Sequence, residues 1–193
     1  MIGAIILAAG SSRRFGGDKR KLSLPSGQAM LEESIHKAAS VIDKVLVVLR
    51  FGDLAYAKEL EAKIRNPNVE FFCAPDSAQG MAHSLANAIH KVDWEAAMVF
   101  LGDMPFVQSE TVESILGKYE FHKASSPIVV PIKDGERGHP VLFHHDYFDE
   151  IQQLKGDRGA RIVVSSHPDN VFTVEVQDPG VIRDIDTPQD LAS

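Results

Sequence analysis

The sequence predicts an α/β fold: a single domain, residues 1–193, with a Rossmann-like, doubly wound and mostly parallel sheet. Short, largely apolar runs at residues 2–7 and 96–101 are typical of buried strands. Segments in which apolar residues have helical spacing alternate with such runs along the chain, a pattern typical of parallel sheets covered by helices. The length of 193 residues, 44% of them hydrophobic, fits one domain of ordinary size with a substantial core.

The predicted elements follow in order from these patterns. Strands are expected where short apolar runs occur, at residues 2–7, 44–49, 69–73, 96–101, 128–131, 141–143 and 171–176. Helices are expected where apolar residues recur every three or four positions, at residues 28–42, 54–64, 80–92, 109–119, 147–154 and 160–165. A last helical turn is expected at residues 187–191, with Pro188 at its start.

Composition excludes several classes of function. The net charge is -7, from 20 Lys and Arg against 27 Asp and Glu, which argues against a general nucleic-acid binder. The single cysteine, Cys73, excludes an internal disulfide and fits a reducing compartment. No apolar segment approaches the roughly 20 residues that span a bilayer, and the first residues lack a basic leader. We therefore expect a cytoplasmic protein that binds neither nucleic acid nor membrane.

The loop after the first predicted strand, residues 8–21, is rich in glycine and in positive charge. A glycine-rich loop after a strand can direct several backbone N–H groups at an anion. The loop also carries five cations: Arg13, Arg14, Lys19, Arg20 and Lys21. Its glycine spacing matches neither the dinucleotide fingerprint nor the P-loop. The combination favours a triphosphate site over a solvated basic turn.

Carboxylates occur at two further places where chemistry is expected. Asp103 follows the predicted strand at residues 96–101, where its oxygens are well placed for Mg²⁺, although an aspartate in a turn before a helix is an equal alternative. Asp184 and Asp186 are two positions apart on an extended segment and should point the same way. Considered alone, the segment is more simply a helix start, with Asp186 or Thr187 as the cap ahead of Pro188.

These motifs together resemble those of the MobA-like nucleotidyltransferases and are most similar to the molybdenum cofactor cytidylyltransferases. The first loop resembles the family's L-A-A-G-x-S-x-R-M-G and K-L-L-L-P, with Phe15 in place of methionine. The segment around Asp103 resembles L-G-D-x-P, and the segment around Asp186 resembles D-I-D-T-P-x-D. The motifs occur in the family's order over residues 3–191. The resemblance implies a sheet of the nucleotide-diphospho-sugar transferase type.

The resemblance also implies site residues. It implies catalytic roles for Lys21, Arg14 and Asp103. The implied nucleotide-binding residues are Leu7, Ala8, Ala9, Gly10, Ser11, Ser12, Arg14, Lys21, Pro75, Gly80 and Ser84. Lys21 is preferred as the family lysine because Leu-x-Leu-Pro follows it, and Lys19 is the alternative. Mg²⁺ is expected on Asp103 and Asp186, with Asp184 left open as the second ligand. Segments similar to G-x-R-G-H-P and G-D-x-G-A-R imply an acceptor site at Arg137, Gly138, His139 and Arg161.

The implied reaction is transfer of CMP from CTP to a phosphorylated pterin, molybdopterin or molybdenum cofactor, with release of pyrophosphate. CTP is preferred to GTP because guanylyltransferase relatives more often carry glycine in place of Ala9. A molybdoenzyme or its chaperone is the expected recipient of the product. Two alternatives remain: the same chemistry on another phosphorylated acceptor, and a nucleotide- or cofactor-binding module without catalysis.

Overall fold

The computed structural model describes residues 1–10, 17–156, 159–187 and 190. Its strands are β1 Ile2–Leu7, β2 Val45–Arg50, β3 Val69–Ala74, β4 Ala96–Leu101, β5 Ile128–Lys133, β6 Glu136–Arg137, β7 Val141–His144 and β8 Val171–Glu175. Its α-helices are α1 Met30–Ala39, α2 Leu54–Ile64, α3 Met81–Lys91, α4 Ser109–His122, α5 Phe148–Gln152 and α6 Arg161–Ser166. Each helix in these ranges is too short or too polar to cross a membrane.

The strands form one eight-stranded sheet in the order β3-β2-β1-β4-β7-β5-β6, with β8 paired to β5. Strands β3, β2, β1 and β4 are mutually parallel, and β7 is inserted antiparallel between β4 and β5. Because β1 to β4 point the same way, their carboxyl ends meet at one edge of the sheet. This carboxyl edge is where ligands bind in open α/β sheets. The predicted mostly parallel sheet is confirmed.

Helices cover both faces of the sheet, as the doubly wound prediction requires. One face packs α1, α2 and α4 over a cluster that includes Ile6 and Val47. The other face packs α3, α5 and α6 over a cluster that includes Ile5 and Val48. Neighbouring strand residues thus alternate between the two clusters, as the pleat dictates. Each such fully buried side chain contributes about 1.5–3 kcal/mol, so the sheet is a rigid platform for the loops at its carboxyl edge.

Element bounds differ from the predicted ones where local pairing intervenes. Helix α1 begins at Met30 instead of residue 28, because Ser23 and Ala29 form an antiparallel bridge that keeps the preceding residues extended. Helix α5 is shorter than predicted because residues His145–Tyr147 form a 3-10 turn.

One strand was not predicted, and one predicted turn is incompletely described. Strand β6 pairs with β5 in a hairpin whose tip, Asp134 and Gly135, has positive φ at both residues. The sequence of β6 is two charged residues, so no apolar pattern predicted a strand there. The helical turn predicted at residues 187–191 includes 188, 189 and 191, which lie outside the described residues.

Gly3 in β1 provides a test of the packing around the sheet. A Cβ added to Gly3 would lie 2.2 Å from the Trp94 ring, so the indole would have to move. We expect Gly3→Ala to lower the free energy of unfolding by about 1–3 kcal/mol. Gly117 in α4 is the matched control: no atom lies within 4 Å of its added Cβ. Gly117→Ala should stabilise by about 0.5–1 kcal/mol, and equal urea midpoints for the two variants would contradict this packing.

Candidate active site

The loops after β1 and β4 meet at the carboxyl edge of the sheet. The Gly102 amide donates to the Leu7 carbonyl at 2.9 Å, and the Ala8 amide donates to the Val48 carbonyl at 2.9 Å. A Cβ on Gly102 would lie 3.0 Å from the Ala8 Cβ and 3.2 Å from the Leu7 carbonyl. A small residue is therefore needed at position 102, and the contact places Asp103 beside the start of the first loop.

Three aspartates converge at this edge. The Ile185 amide donates to the Asp103 carbonyl at 3.0 Å, and the Ile185 side chain is completely buried. The residues on either side of Ile185 consequently share the opposite face of the segment. Asp103, Asp184 and Asp186 each offer an oxygen, and these oxygens lie within 4.8 Å of one another. We call these three residues the acidic cluster.

Lys19 reaches the acidic cluster from the far end of the first loop. Its Nζ donates to Asp103 Oδ2 at 2.6 Å, to Asp186 Oδ1 at 3.2 Å and to the Ile185 carbonyl at 3.3 Å. Burial acts to lower the pKa of Lys19, but hydrogen bonds and charge from Asp103 and Asp186 outweigh burial and raise it. The ammonium group is therefore a fixed positive charge at the cluster.

The acidic cluster fits a divalent cation. Its donors are carboxylate oxygens, the ligand type that Mg²⁺ and Mn²⁺ prefer. Their mutual spacing allows oxygens from separate residues to face one point. The Lys19 ammonium group already lies against two of these carboxylates, which shows that the location attracts positive charge.

Lys21, the preferred family lysine, lies elsewhere. Its Nζ donates to Glu59 Oε2 at 2.8 Å and lies 4.5 Å from the centre of the Tyr56 ring, with 49% of the side chain exposed. Residues Lys19–Lys21 form a 3-10 turn, so successive side chains leave it in different directions. The structure does not bring Lys21 to Asp103, and its placement favours Lys19 for the role that Lys21 was expected to fill.

Arg20, which had no assigned role in the sequence, is the centre of a buried ion network. It is only 3% exposed. Its guanidinium donates to both Asp18 oxygens at 2.7 Å, to Asp53 Oδ2 at 2.6 Å and to the Ala8 carbonyl at 3.1 Å. Arg50 also donates to Asp18 and Asp53, at 3.0 and 3.2 Å. No sequence motif indicated this network, because Asp18 and Asp53 are distant in sequence and neither carries a spacing signal.

The network predicts a pH dependence of stability. Burial acts to raise the pKa of Asp18 and Asp53, but hydrogen bonds and charge from Arg20 and Arg50 prevail and lower it. A carboxyl with a lowered folded pKa stabilises the protein above its unfolded pKa, here near 3.8, and loses that contribution as the pH falls through the folded value.

We therefore expect the free energy of unfolding to decrease between about pH 5 and about pH 3. Asp53→Asn, which lacks one of the two carboxyls, should show a shallower decrease. Urea denaturation across this range measures both slopes, and a slope as steep in the variant as in the unchanged protein would contradict the role of Asp53.

The predicted nucleotide-binding residues fall into two groups. In the first, Leu7 and Ala8 are buried, Ala9 is half-buried and Gly10 is exposed at the carboxyl edge. The remaining members of the loop, Ser11, Ser12 and Arg14, lie outside the described residues.

The second group lies at the start of α3. Pro75 is exposed just after β3, and Gly80 precedes α3 with φ of 120°, a conformation that favours glycine. The buried Ser84 hydroxyl donates to the Gly80 carbonyl at 3.4 Å, within the first turn of the helix. Contact of these residues with a nucleotide stays a prediction.

The predicted acceptor residues are divided between two places. Arg137 is exposed, and the His139 amide donates to the Val181 carbonyl at 2.8 Å. A Cβ on Gly138 would lie 2.3 Å from that carbonyl, so the segment packs tightly against the turn Pro179–Val181 that leads to the acidic cluster. Arg161, exposed at the start of α6, belongs instead to a segment whose Gly156 carbonyl accepts from Ala82 of α3.

His139 differs from an exposed phosphate ligand. Burial lowers its pKa, against a hydrogen bond to the Val99 backbone and the charge of Asp103, both of which raise it. Its Nδ1 is buried and has no hydrogen-bond partner among the described residues. At neutral pH the imidazole is therefore uncharged, unlike a cationic phosphate ligand.

Asp178 is a structural carboxylate that the sequence did not indicate. It is 3% exposed and accepts from the Gln108 amide, the Thr111 hydroxyl and the Gly180 amide, each at 2.8 Å. These bonds join the start of α4 to the turn before the acidic cluster. Asp178 thereby fixes the segment that carries Asp186 relative to the segment that carries Asp103.

Comparison with known proteins identifies the family of this chain. The model of the MobA-like NTP transferase domain matches residues 4–171. The molybdenum cofactor cytidylyltransferase of Escherichia coli is 28% identical over 192 residues, covering 98% of this chain and 93% of the relative. A probable molybdenum cofactor guanylyltransferase of Methanosarcina acetivorans is 27% identical, covering 95% of this chain and 80% of the relative.

A solved structure is also similar over the whole chain. The Rv0371c protein of Mycobacterium tuberculosis in complex with manganese has a TM-score of 0.76 and 25% identity, covering 99% of this chain and 96% of that one. The expected fold of the nucleotide-diphospho-sugar transferase type is thereby confirmed. From the family match over most of its length, this chain belongs to the MobA-like NTP transferases and is a nucleotidyltransferase.

Proposed function

We propose that this chain transfers CMP from CTP to a phosphorylated pterin, molybdopterin or molybdenum cofactor, with Mg²⁺ and release of pyrophosphate. The observation that carries the proposal is the acidic cluster, which faces the Lys19 ammonium group at the carboxyl edge of the sheet. The near full-length similarity to a cytidylyltransferase supports the choice of nucleotide and acceptor. The reaction belongs in the cytoplasm, and a molybdoenzyme or its chaperone would receive the product.

Asp103 and Asp186 are the proposed Mg²⁺ ligands, and Asp184 is close enough to be a third or to replace Asp186. A bound Mg²⁺ supplies positive charge that offsets the charge developing on the phosphate oxygens during transfer. The manganese complex of a similar mycobacterial protein supports a divalent ion in this family.

The residues of the chain account for the remaining chemistry by positioning and charge. An acceptor phosphate oxygen forms a bond to the α-phosphorus of CTP, and the bond from that phosphorus to the pyrophosphate oxygen breaks. A phosphate is already anionic at neutral pH, so the chain needs no strong general base. Lys19 neutralises the α-phosphate in this scheme, while the amides near Gly10 and, by family resemblance, Ser11, Ser12 and Arg14 hold the β- and γ-phosphates.

GTP is the second candidate nucleotide. A relative named as a probable guanylyltransferase is nearly as similar to this chain as the cytidylyltransferase is, at 27% against 28% identity. The Leu-Ala-Ala-Gly sequence at the start of the first loop supports CTP, since the guanylyltransferases more often carry a second glycine there.

Calorimetry separates the two nucleotides. CTP and GTP are each titrated into the protein with and without Mg²⁺, and we expect Mg²⁺-dependent binding of CTP only. Preference for GTP would overturn the choice of nucleotide while leaving the chemistry in place.

A pyrophosphate-release assay tests the acceptor and the reaction. CTP is supplied with molybdopterin in one reaction and with a sugar phosphate in another, and we expect release with molybdopterin alone. Release with the sugar phosphate would identify a different acceptor class. Nucleotide binding without any release would favour a module that binds and does not catalyse.

A further inference from the structure

We propose that Arg20 is the positioning residue that holds Lys19 at the acidic cluster, by tying the turn that carries Lys19 to Ala8 at the end of β1. This inference rests on the proposed function, because it assigns a role within the same site. Arg20 lies next to Lys19 in the turn Lys19–Lys21, yet the two side chains have different surroundings: Lys19 contacts the acidic cluster, and Arg20 is buried in the ion network.

The contacts of Arg20 join the two ends of the first loop. One nitrogen donates to the carbonyl of Ala8, which begins the loop, and two others donate to Asp18, which lies near its far end. The same nitrogen that reaches Ala8 also donates to Asp53, just before α2. A single planar guanidinium therefore fixes the ends of the loop relative to each other and to the body of the protein.

The Asp18 contact carries this constraint to Lys19. The Asp18 carboxylate accepts from the Arg20 amide as well as from its side chain, and so caps the turn in which Lys19 lies. The backbone on both sides of Lys19 is thus held by one ion pair. Without the ion pair, the turn keeps its backbone bonds but the Asp18 carboxylate that caps it is no longer held in place.

Arg50 provides an internal comparison. It contacts the same two carboxylates, Asp18 and Asp53, but is 31% exposed, and the described structure gives it no bond to Ala8. If the carboxylates needed only a positive neighbour, removal of Arg50 and removal of Arg20 should have similar effects. If the loop must be closed at Ala8 and the turn held at Asp18, only removal of Arg20 should impair catalysis strongly.

Kinetics of Arg20→Gln, Arg50→Gln, Lys19→Ala and the double variant Lys19→Ala/Arg20→Gln test the proposal. We expect Arg20→Gln to lower kcat about 10- to 100-fold, with KM for the nucleotide changed less than about 3-fold. In the Lys19→Ala background the same substitution should lower kcat by less than about 2-fold, because its effect passes through Lys19. An equal loss in both backgrounds, or an equal loss in Arg50→Gln, would overturn the proposal.

A variant that keeps the charge guards against loss of folding. Breaking a buried ion pair is strongly destabilising, so Arg20→Lys is measured beside Arg20→Gln. A lysine cannot bridge Ala8 and Asp18 with a planar fork, so kcat should still fall although the positive charge remains. Full kcat in folded Arg20→Lys would contradict positioning by the fork.

A spectroscopic measurement makes the outcome independent of turnover. The NMR signal of the Lys19 ammonium group in lysine-labelled protein is identified by its loss in Lys19→Ala. We expect this signal to have the same chemical shift in the unchanged protein and in Arg50→Gln. In Arg20→Gln its chemical shift should move towards the values of the exposed lysines. An unchanged chemical shift in Arg20→Gln would refute the positioning role of Arg20. This test does not need turnover: if the unchanged protein catalyses no transfer, that result refutes only the proposed function.

Discussion

Replacement of Asp103 by alanine is expected to abolish nucleotidyl transfer, with a loss in kcat of at least about 100-fold. Asp103 is the proposed metal ligand that follows β4, and it also bonds Lys19 at 2.6 Å. The substitution therefore removes one oxygen of the acidic cluster and leaves the Lys19 ammonium group with a weaker anchor. Pyrophosphate release with CTP and molybdopterin measures the loss, and calorimetry with Mn²⁺ should show weaker ion binding.

Asp93 provides the matched control. It is an exposed aspartate that precedes β4, so it lies at the opposite edge of the sheet from Asp103. Asp93→Asn removes the same negative charge and should leave kcat within about 2-fold of the unchanged protein, as expected for a surface substitution. Undiminished transfer in Asp103→Ala, or equal losses in the two variants, would exclude Asp103 as a metal ligand.

Lys19→Ala is expected to lower kcat about 100-fold or more, whereas Lys21→Ala should change it less than about 3-fold. The order follows from position: Lys19 contacts the acidic cluster, and the half-exposed Lys21 contacts Glu59. The Leu-x-Leu-Pro sequence after Lys21 favoured the opposite expectation, a larger loss of activity in Lys21→Ala than in Lys19→Ala. An exposed ion pair such as Lys21–Glu59 contributes little, about 0–1 kcal/mol.

Steady-state kinetics of the two lysine variants, with thermal melting as a check on folding, test this order. Both substitutions remove one positive charge from one short turn, so each serves as the control for the other. A larger loss in Lys21→Ala would return the family role to Lys21 and would require Lys21 to leave Glu59 when substrate binds.

The fold was predictable because apolar patterning determines it directly. The predicted bounds of strand 96–101 agree with β4, whose side chains are buried throughout, except for a half-buried Leu101. The bounds of α2 and β1 also agree with the predicted ones. Errors occur where turns and short bridges intervene, such as the bridge between Ser23 and Ala29 that delays α1 and the 3-10 turn that shortens α5. A linear pattern carries no information on such pairing.

The site was predictable only in part. The positions of Asp103 and Asp186 follow from a strand end and from an alternating segment, both local features. The choice between Lys19 and Lys21 depends on how Asp18 and Arg20 turn the chain, through bonds that no spacing rule reveals. For the same reason neither a role for the buried Arg20 nor the buried Nδ1 of His139 was indicated by any sequence pattern.

The acidic cluster has a consequence for the newly made protein. All eight strands found in the described part of the chain are complete by Glu175, but Asp184 and Asp186 come later. Synthesis proceeds from the amino terminus, and the sheet can assemble before these residues leave the ribosome. A chain interrupted between Glu175 and Asp184 would contain the complete sheet but lack two of the three clustered carboxylates. Such a chain would keep Asp103 but lack the other two carboxylates that are proposed to hold the metal.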